Sequence, residues 1–293
     1  MLTASQIAER AKGVGASDAG AILGLDPYSS AYDVWLRKTG KLGDVETNDA
    51  IEWGNDLEDV IGKRAARVLG RPVVRPADTF RHPNGVMLAN VDFMADLEQF
   101  GPSPLEAKST GITDGWGEDG SDTVPDRVWA QVQVQMMCSR TQVAKVARIL
   151  GRNGFKFSIY TVTPADPDVQ AAIEERLCDF WHNNVQKDIP PEHSLPSLDS
   201  ISQVRRAAGL VVPIDPALVT AYSAANRARI DAEKAAEKCK VGPLAGLLKD
   251  GVYAEGAECE AGTVSYTEVS RKGYFVQAGT YRRLTVKAKG AGT

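Results

Sequence analysis

From Val86 to Leu97 the odd positions Met87, Ala89, Val91, Phe93, Ala95 and Leu97 are all apolar, while the opposite parity presents Asn90, Asp92 and Asp96. A period of two buries one side of an extended chain and turns the other outward, so this stretch reads as one half-buried strand. Gln99 to Pro104, with Gly101, Pro102 and Pro104, makes a turn. After it, Leu105-Glu106-Ala107-Lys108-Ser109 alternates so that Glu106 and Lys108 share a face. A hairpin of the two segments brings Asp92 beside both.

The flanks have a helical period. Ser17 to Gly24 reads as a capped helix stopped by glycine, and Ser30 to Thr39 as a second. Asn48 to Leu69 places Ile51, Gly54, Ile61, Ala65 and Val68 on one stripe, with Glu58 inside it. Beyond a Gly- and Asp-rich loop over 111–124, Asp126 to Ser139 is a helix. Val143–Leu150 and Phe155–Val162 form a hairpin about Arg152-Asn153-Gly154, and Asp166 to Gln186 is another helix. Helices, strands, helix, strands, helix in that order predict an α/β core, a central mixed sheet flanked by helices. The core is expected over residues 1–188, a Pro-rich linker over 189–200, and a C-terminal helix with a small β appendage over 201–293. That extension holds the Ala-rich helix Pro216–Lys240 and strands within Gly262–Lys289.

Composition removes whole classes of function. With 43% hydrophobic and 25% charged residues the 293-residue chain is globular. No apolar run approaches the roughly 18 residues of a membrane span, and Met1-Leu2-Thr3-Ala4-Ser5-Gln6 is no secretory leader, so a cytoplasmic protein is expected. Cys138, Cys178, Cys239 and Cys259 form no Cys-x-x-Cys pair, and there are 3 histidines, which leaves no zinc or iron–sulfur signature. The net charge of −4 hides an asymmetry: residues 201–293 hold 14 Lys and Arg against 9 Asp and Glu. After Glu268 no acid remains, and Arg271, Lys272, Arg282, Arg283, Lys287 and Lys289 interleave with Tyr274, Phe275 and Tyr281. A nucleic-acid surface and a basic edge strand read equally well there. A second acid-free stretch, Arg127 to Ala165, offers cations within the core.

Asp92 followed by Glu106-x-Lys108 suits metal-dependent phosphodiester hydrolysis. Hard Mg²⁺ takes carboxylate oxygens, and a lysine orients or deprotonates water and steadies the charge of the transition state. The pattern also arises on ordinary solvated strands, so neighbouring segments decide. Gly13-Val14-Gly15-Ala16-Ser17-Asp18-Ala19-Gly20-Ala21-Ile22-Leu23-Gly24-Leu25, Val34-Trp35-Leu36-Arg37-Lys38-Thr39-Gly40, Trp53-Gly54-x-x-x-Glu58, Asp92, Glu106-x-Lys108 and Ala130-Gln131-Val132-Gln133 occur in one order. Over about residues 7–188 this order resembles the lambda-exonuclease-like, or YqaJ viral recombinase, family of the PD-(D/E)XK nuclease superfamily. Val91-Asp92-Phe93 stands where that family often has Pro-Asp-Gly.

The resemblance implies a restriction-endonuclease-like core and a Mg²⁺-dependent phage-type alkaline exonuclease that digests linear duplex DNA 5′ to 3′, leaving 3′ single strands. It implies that Asp92, Glu106, the carbonyl of Ala107 and Glu58 bind two Mg²⁺ ions, with Mn²⁺ able to substitute. Lys108 acts on the attacking water and Gln131 positions it, while Arg10 and Ser17 bind the DNA 5′ end. Implied partners are duplex DNA ends, a single-strand annealing protein and further copies of the chain in a ring. For four residues a plainer reading stays open: Glu58 as a buried acid paired with an arginine, Gln131 as one of three glutamines on a solvated helix face, Ser17 as an N-cap, and Arg10 as a solvated helix residue. An endonuclease or repair nuclease on the same site, or a silent DNA-binding or assembly module, are the alternatives.

Overall fold

The structure, a computed structural model, describes residues 12–42, 49–151, 155–204, 211–249, 252–253, 256–259 and 262–265. The chain divides into two compact units, Met1–Arg206 and Ala207–Thr293.

In chain order the first unit contains β1 (Val14–Gly15), a 3₁₀ turn (Ala16–Asp18), α1 (Ala19–Ile22), α2 (Ala31–Lys38), α3 (Asp49–Leu69), β2 (Val73–Val74), β3 (Phe80–Arg81), β4 (Met87–Ala89), β5 (Phe93–Asp96) and β6 (Pro102–Thr110). These are followed by α4 (Asp126–Ser139), β7 (Ala144–Leu150), β8 (Lys156–Val162), α5 (Pro167–Asp179), a wider π-helical continuation (Phe180–Val185) and α6 (Leu198–Gln203). The central sheet has the order β2-β5-β6-β7-β8, and its β6–β7 pair is parallel among antiparallel neighbours.

Alternation along β6 sorts the two faces. Leu105 and Ala107 pack with Ile61, Ala65, Phe93 and Ile149 under α3. Val128, Val132 and Met136 of α4 pack on Ala144, Val146 and Tyr160 across the other face. Ile61 is 1% exposed, and full burial of such a side chain contributes about 1.5–3 kcal/mol. Glu106 and Lys108, at even positions, therefore belong to the α4 side.

Two expectations are corrected here. Val86 to Leu97 is not one strand: β4 pairs with β1 and β3 in a separate small sheet, while β5 joins the central one. Asn90 to Asp92 carry the chain between them, and Asn90 Oδ1 accepts from Thr79 Oγ1 at 2.7 Å. The odd residues from Met87 to Ala95 are buried as the alternation requires, although the ladder changes partner. On α3, Val68 is exposed; Leu57 and Leu69 join Ile61 and Ala65 on the inner stripe.

Ser30 caps α2 reciprocally: its Oγ accepts from Asp33 N at 3.2 Å, and Asp33 Oδ2 accepts from Ser30 N at 2.9 Å. The Pro-rich stretch is tied to this cap. Ser197 N donates to Asp33 Oδ1 at 2.8 Å, and Tyr32 N donates to Ser194 Oγ at 3.1 Å. Burial would raise the Asp33 carboxyl, but the N–H of Ser197 and the bonds from Ser200 and Ser30 outweigh it and hold it below the usual range.

The second unit has α7 (Pro216–Gly246), started by Pro216 after Asp215, whose Oδ1 accepts from Ala217 N at 2.9 Å. The antiparallel pairs β9 (Leu248–Lys249) with β10 (Val252–Tyr253), and β11 (Gly256–Cys259) with β12 (Gly262–Ser265), follow. The basic residues from Arg271 to Lys289, the hairpin tip at Arg152 to Gly154, and Arg10 lie outside the described residues. Among the described residues no helix is long and apolar enough to cross a membrane.

Candidate active site

Strands β5 and β6 pair through Phe93↔Leu105, which sets Asp92 level with Glu106 one step further along. Asp92 Oδ2 accepts from the backbone N–H of Ala107 at 2.9 Å, closing the hairpin over the site. Glu106 is 3% exposed and heavily satisfied. Its Oε1 accepts from Lys108 Nζ at 2.6 Å and from Gln131 Nε2 at 2.7 Å, and its Oε2 accepts from Gln135 Nε2 at 2.6 Å. Lys108 Nζ also donates to Gln131 Oε1 at 3.0 Å. Three side chains thus hold one another in a closed ring, and Lys108 has spent two of its three donors inside it.

The glutamines of α4 are not a solvated face. Gln133 and Gln135 are fully buried. Gln131 and Gln135, four apart, point together at Glu106. Gln133 turns the other way, donating to Thr163 O at 2.9 Å and accepting from Ala165 N at 2.8 Å. Gln135 is a site residue that the sequence reading omits, although its i+4 spacing from Gln131 signals it.

Glu58 reaches the area from α3, on the other face of the sheet. It lies at the margin of the apolar stripe, half-buried, with Oε2 3.1 Å from Arg75 Nη2, so the reading of a glutamate paired with an arginine describes a contact it makes. Arg75 also bonds Asp59 at 2.9 Å and stacks 4.7 Å from the Phe93 ring. Ser17 is exposed in the 3₁₀ turn and caps neither that turn, which follows Gly15, nor α1, which follows Asp18. Buried Asp18 anchors the turn, accepting from Gly15 N at 3.2 Å and pairing with Arg37 at 3.3 Å and Lys38 at 3.0 Å.

Burial, and then the charge of Glu106, push the Asp92 carboxyl up to about 8, against the pull of Lys108 and the Ala107 N–H; Glu58 adds to the rise. Asp92 and Glu106 side by side offer hard carboxylate oxygens of the kind that a divalent cation takes. Among the described residues no three His, Cys, Asp or Glu side chains converge on one point.

Residues 7–142 match the YqaJ-like viral recombinase domain. The chain is similar to that domain over this span. It is 31% identical over 181 residues to the uncharacterized protein YqaJ of Bacillus subtilis (strain 168), a match over 60% of this chain and 54% of that one. The chain therefore spans about half the length of this relative. The chain shares its fold with LHK-Exo, the alkaline exonuclease of Laribacter hongkongensis. The LHK-Exo structure in complex with dAMP superposes with a TM-score of 0.50 at 20% identity, covering 64% of this chain and 94% of that one. A second LHK-Exo structure gives 0.49 at 21% identity, with the same shares covered. The architecture is thus of the restriction-endonuclease-like type, and every acid, lysine and glutamine of the ring falls in or beside the matched span.

Proposed function

We propose that this chain is a divalent-metal-dependent deoxyribonuclease, and specifically a Mg²⁺-dependent exonuclease digesting linear duplex DNA 5′ to 3′ to leave 3′ single-stranded tails. One observation carries the reading: Lys108 Nζ is held between Glu106 Oε1 and Gln131 Oε1, with half-buried Asp92 across the strand pair from Glu106. Asp92, Glu106, the Ala107 carbonyl and, from the other side, Glu58 would hold Mg²⁺ or Mn²⁺, whose chemistry is to polarise the phosphate and lower the pKa of water. The third N–H of Lys108 would be left for the attacking water or a phosphate oxygen. Gln131 fixes the direction of that donor because both of its own amide atoms are engaged. Gln135 holds Glu106 from behind. Arg10 and Ser17 are assigned to the DNA 5′ end. A single-strand annealing protein, a ring of identical chains around DNA and a cytoplasmic place of action complete the reading.

Digestion of linear duplexes labelled at either end, beside a closed circle, with and without Mg²⁺, tests it. Loss of 5′ label from linear DNA alone is expected, and Asp92→Ala, Glu106→Ala and Lys108→Ala each abolish it. Cutting of the closed circle identifies an endonuclease, and binding without cutting identifies a silent module. Near-wild-type turnover in any of the three variants refutes the site.

A further inference from the structure

We propose that the cavity beyond the end of β6 is a nucleobase site, taking the base next to the phosphodiester at Lys108; this rests on the nuclease reading above. The cavity, of about 520 Å³, lies within the size range of ligand sites. Thr110 forms part of its wall. Thr110 lies two residues beyond Lys108 on the same face of β6, a separation of about 7 Å, so the cavity opens within one nucleotide's reach of the ring.

Its walls suit a flat aromatic guest. Tyr28 is 62% exposed, and the Arg127 guanidinium stands 5.4 Å from its ring. Gly20 eases this pairing: a Cβ there would lie 3.1 Å from Arg127 Cα, a tight contact that glycine avoids where α1 meets the start of α4. Across the cavity, Trp116 is backed by Arg148 at 4.7 Å and Tyr160 at 5.0 Å, which fixes its ring. Aromatic faces with stacked guanidinium groups are what single-stranded bases pack on.

Charge then separates base from phosphate. Asp114 and Asp126 border the cavity, offering acceptors to the amino groups of bases and repelling a phosphate. Arg148 lies on the other side of Trp116, in register with Lys108 on the neighbouring strand. It is 5% exposed, and its Nε and Nη1 have no hydrogen-bond partner. The positive charge of this buried guanidinium, on the strand beside Lys108, favours the phosphate at the ring while the base goes into the cavity.

The test is binding of a 5′-phosphorylated duplex in Ca²⁺, with an abasic nucleotide placed at each of the first few positions from the 5′ end. Wild type loses about tenfold in affinity at one position only, the size of one stacking contact. Tyr28→Ala, at an exposed site, weakens intact DNA by a similar factor and removes the penalty at that position. A uniform penalty along the strand, or one that persists in Tyr28→Ala, overturns the base site while DNA is still bound. Absence of all DNA binding by the wild-type protein overturns this site and the nuclease reading together.

Discussion

Gln135 offers the sharpest separation of structural from functional work. Gln135→Leu keeps the side chain's bulk in a fully buried position, so the main change is the lost bond at 2.6 Å to Glu106 Oε2. A hydrogen bond to a charged group contributes about 1.5–3 kcal/mol. Part of that loss is offset, because leucine also removes Gln135 Oε1, which is buried without a partner. A net cost of about 1–2 kcal/mol lowers the melting temperature by about 2–8 °C for a unit of this size. Glu106 keeps Lys108 and Gln131 on Oε1 but is free to swing about them, so kcat falls about tenfold or more, the equivalent of at least 1.4 kcal/mol in the barrier. Gln133→Leu is the control: it strips partners from Thr163 O and Ala165 N, costs about 2–3 kcal/mol, and touches nothing in the ring. Thermal melts and initial rates on linear duplex in saturating Mg²⁺ give both numbers for both variants. Equal loss of rate in the two, or a wild-type rate in Gln135→Leu, refutes the positioning argument.

Gly62→Ala drives a Cβ to 2.5–2.9 Å from the Phe93 ring, next to Asp92 in the chain. It should cost about 1–3 kcal/mol in chemical denaturation and slow cleavage as well; unchanged stability would show that Phe93 yields freely. Glu58→Gln should raise the Mg²⁺ concentration for half-maximal rate several-fold with little change in melting temperature, because Arg75 keeps Asp59 at 2.9 Å; an unaltered Mg²⁺ titration removes Glu58 from the metal site. Asp33 is held below its ordinary range, so its contribution is fully present above about pH 4, the unfolded carboxyl value, and is lost as pH falls through the lower folded value. Asp33→Asn should therefore be less stable than wild type at pH 7, with the gap closing in strong acid; a gap of constant size would contradict the sign.

The hairpin that carries Asp92, Glu106 and Lys108 is legible in the sequence because a period of two depends on the chain's own geometry. Side chains at 106 and 108 share a face whichever strand lies beside them. The extents of α2 and α3 are legible for the same reason, since a turn of helix reads only its near neighbours. Which strand pairs with which is different. The alternation from Met87 to Ala95 marks the buried odd residues but misses Leu88, which is buried as well, and the ladder breaks at Asn90 to Asp92, because partners come from segments distant in sequence and a strand's period carries no record of them. Burial of polar side chains belongs to the same class. A glutamine at 133 or 135 looks fit for solvent until β6 and the segment at Thr163 supply acceptors and donors that make the interior tolerable. Arg148 likewise becomes a buried cation only when Trp116 and Tyr160 close over it. Period and capping are set by neighbours in the chain, whereas the dielectric around a charged or polar group, and hence its chemistry, is set by whatever the fold packs against it.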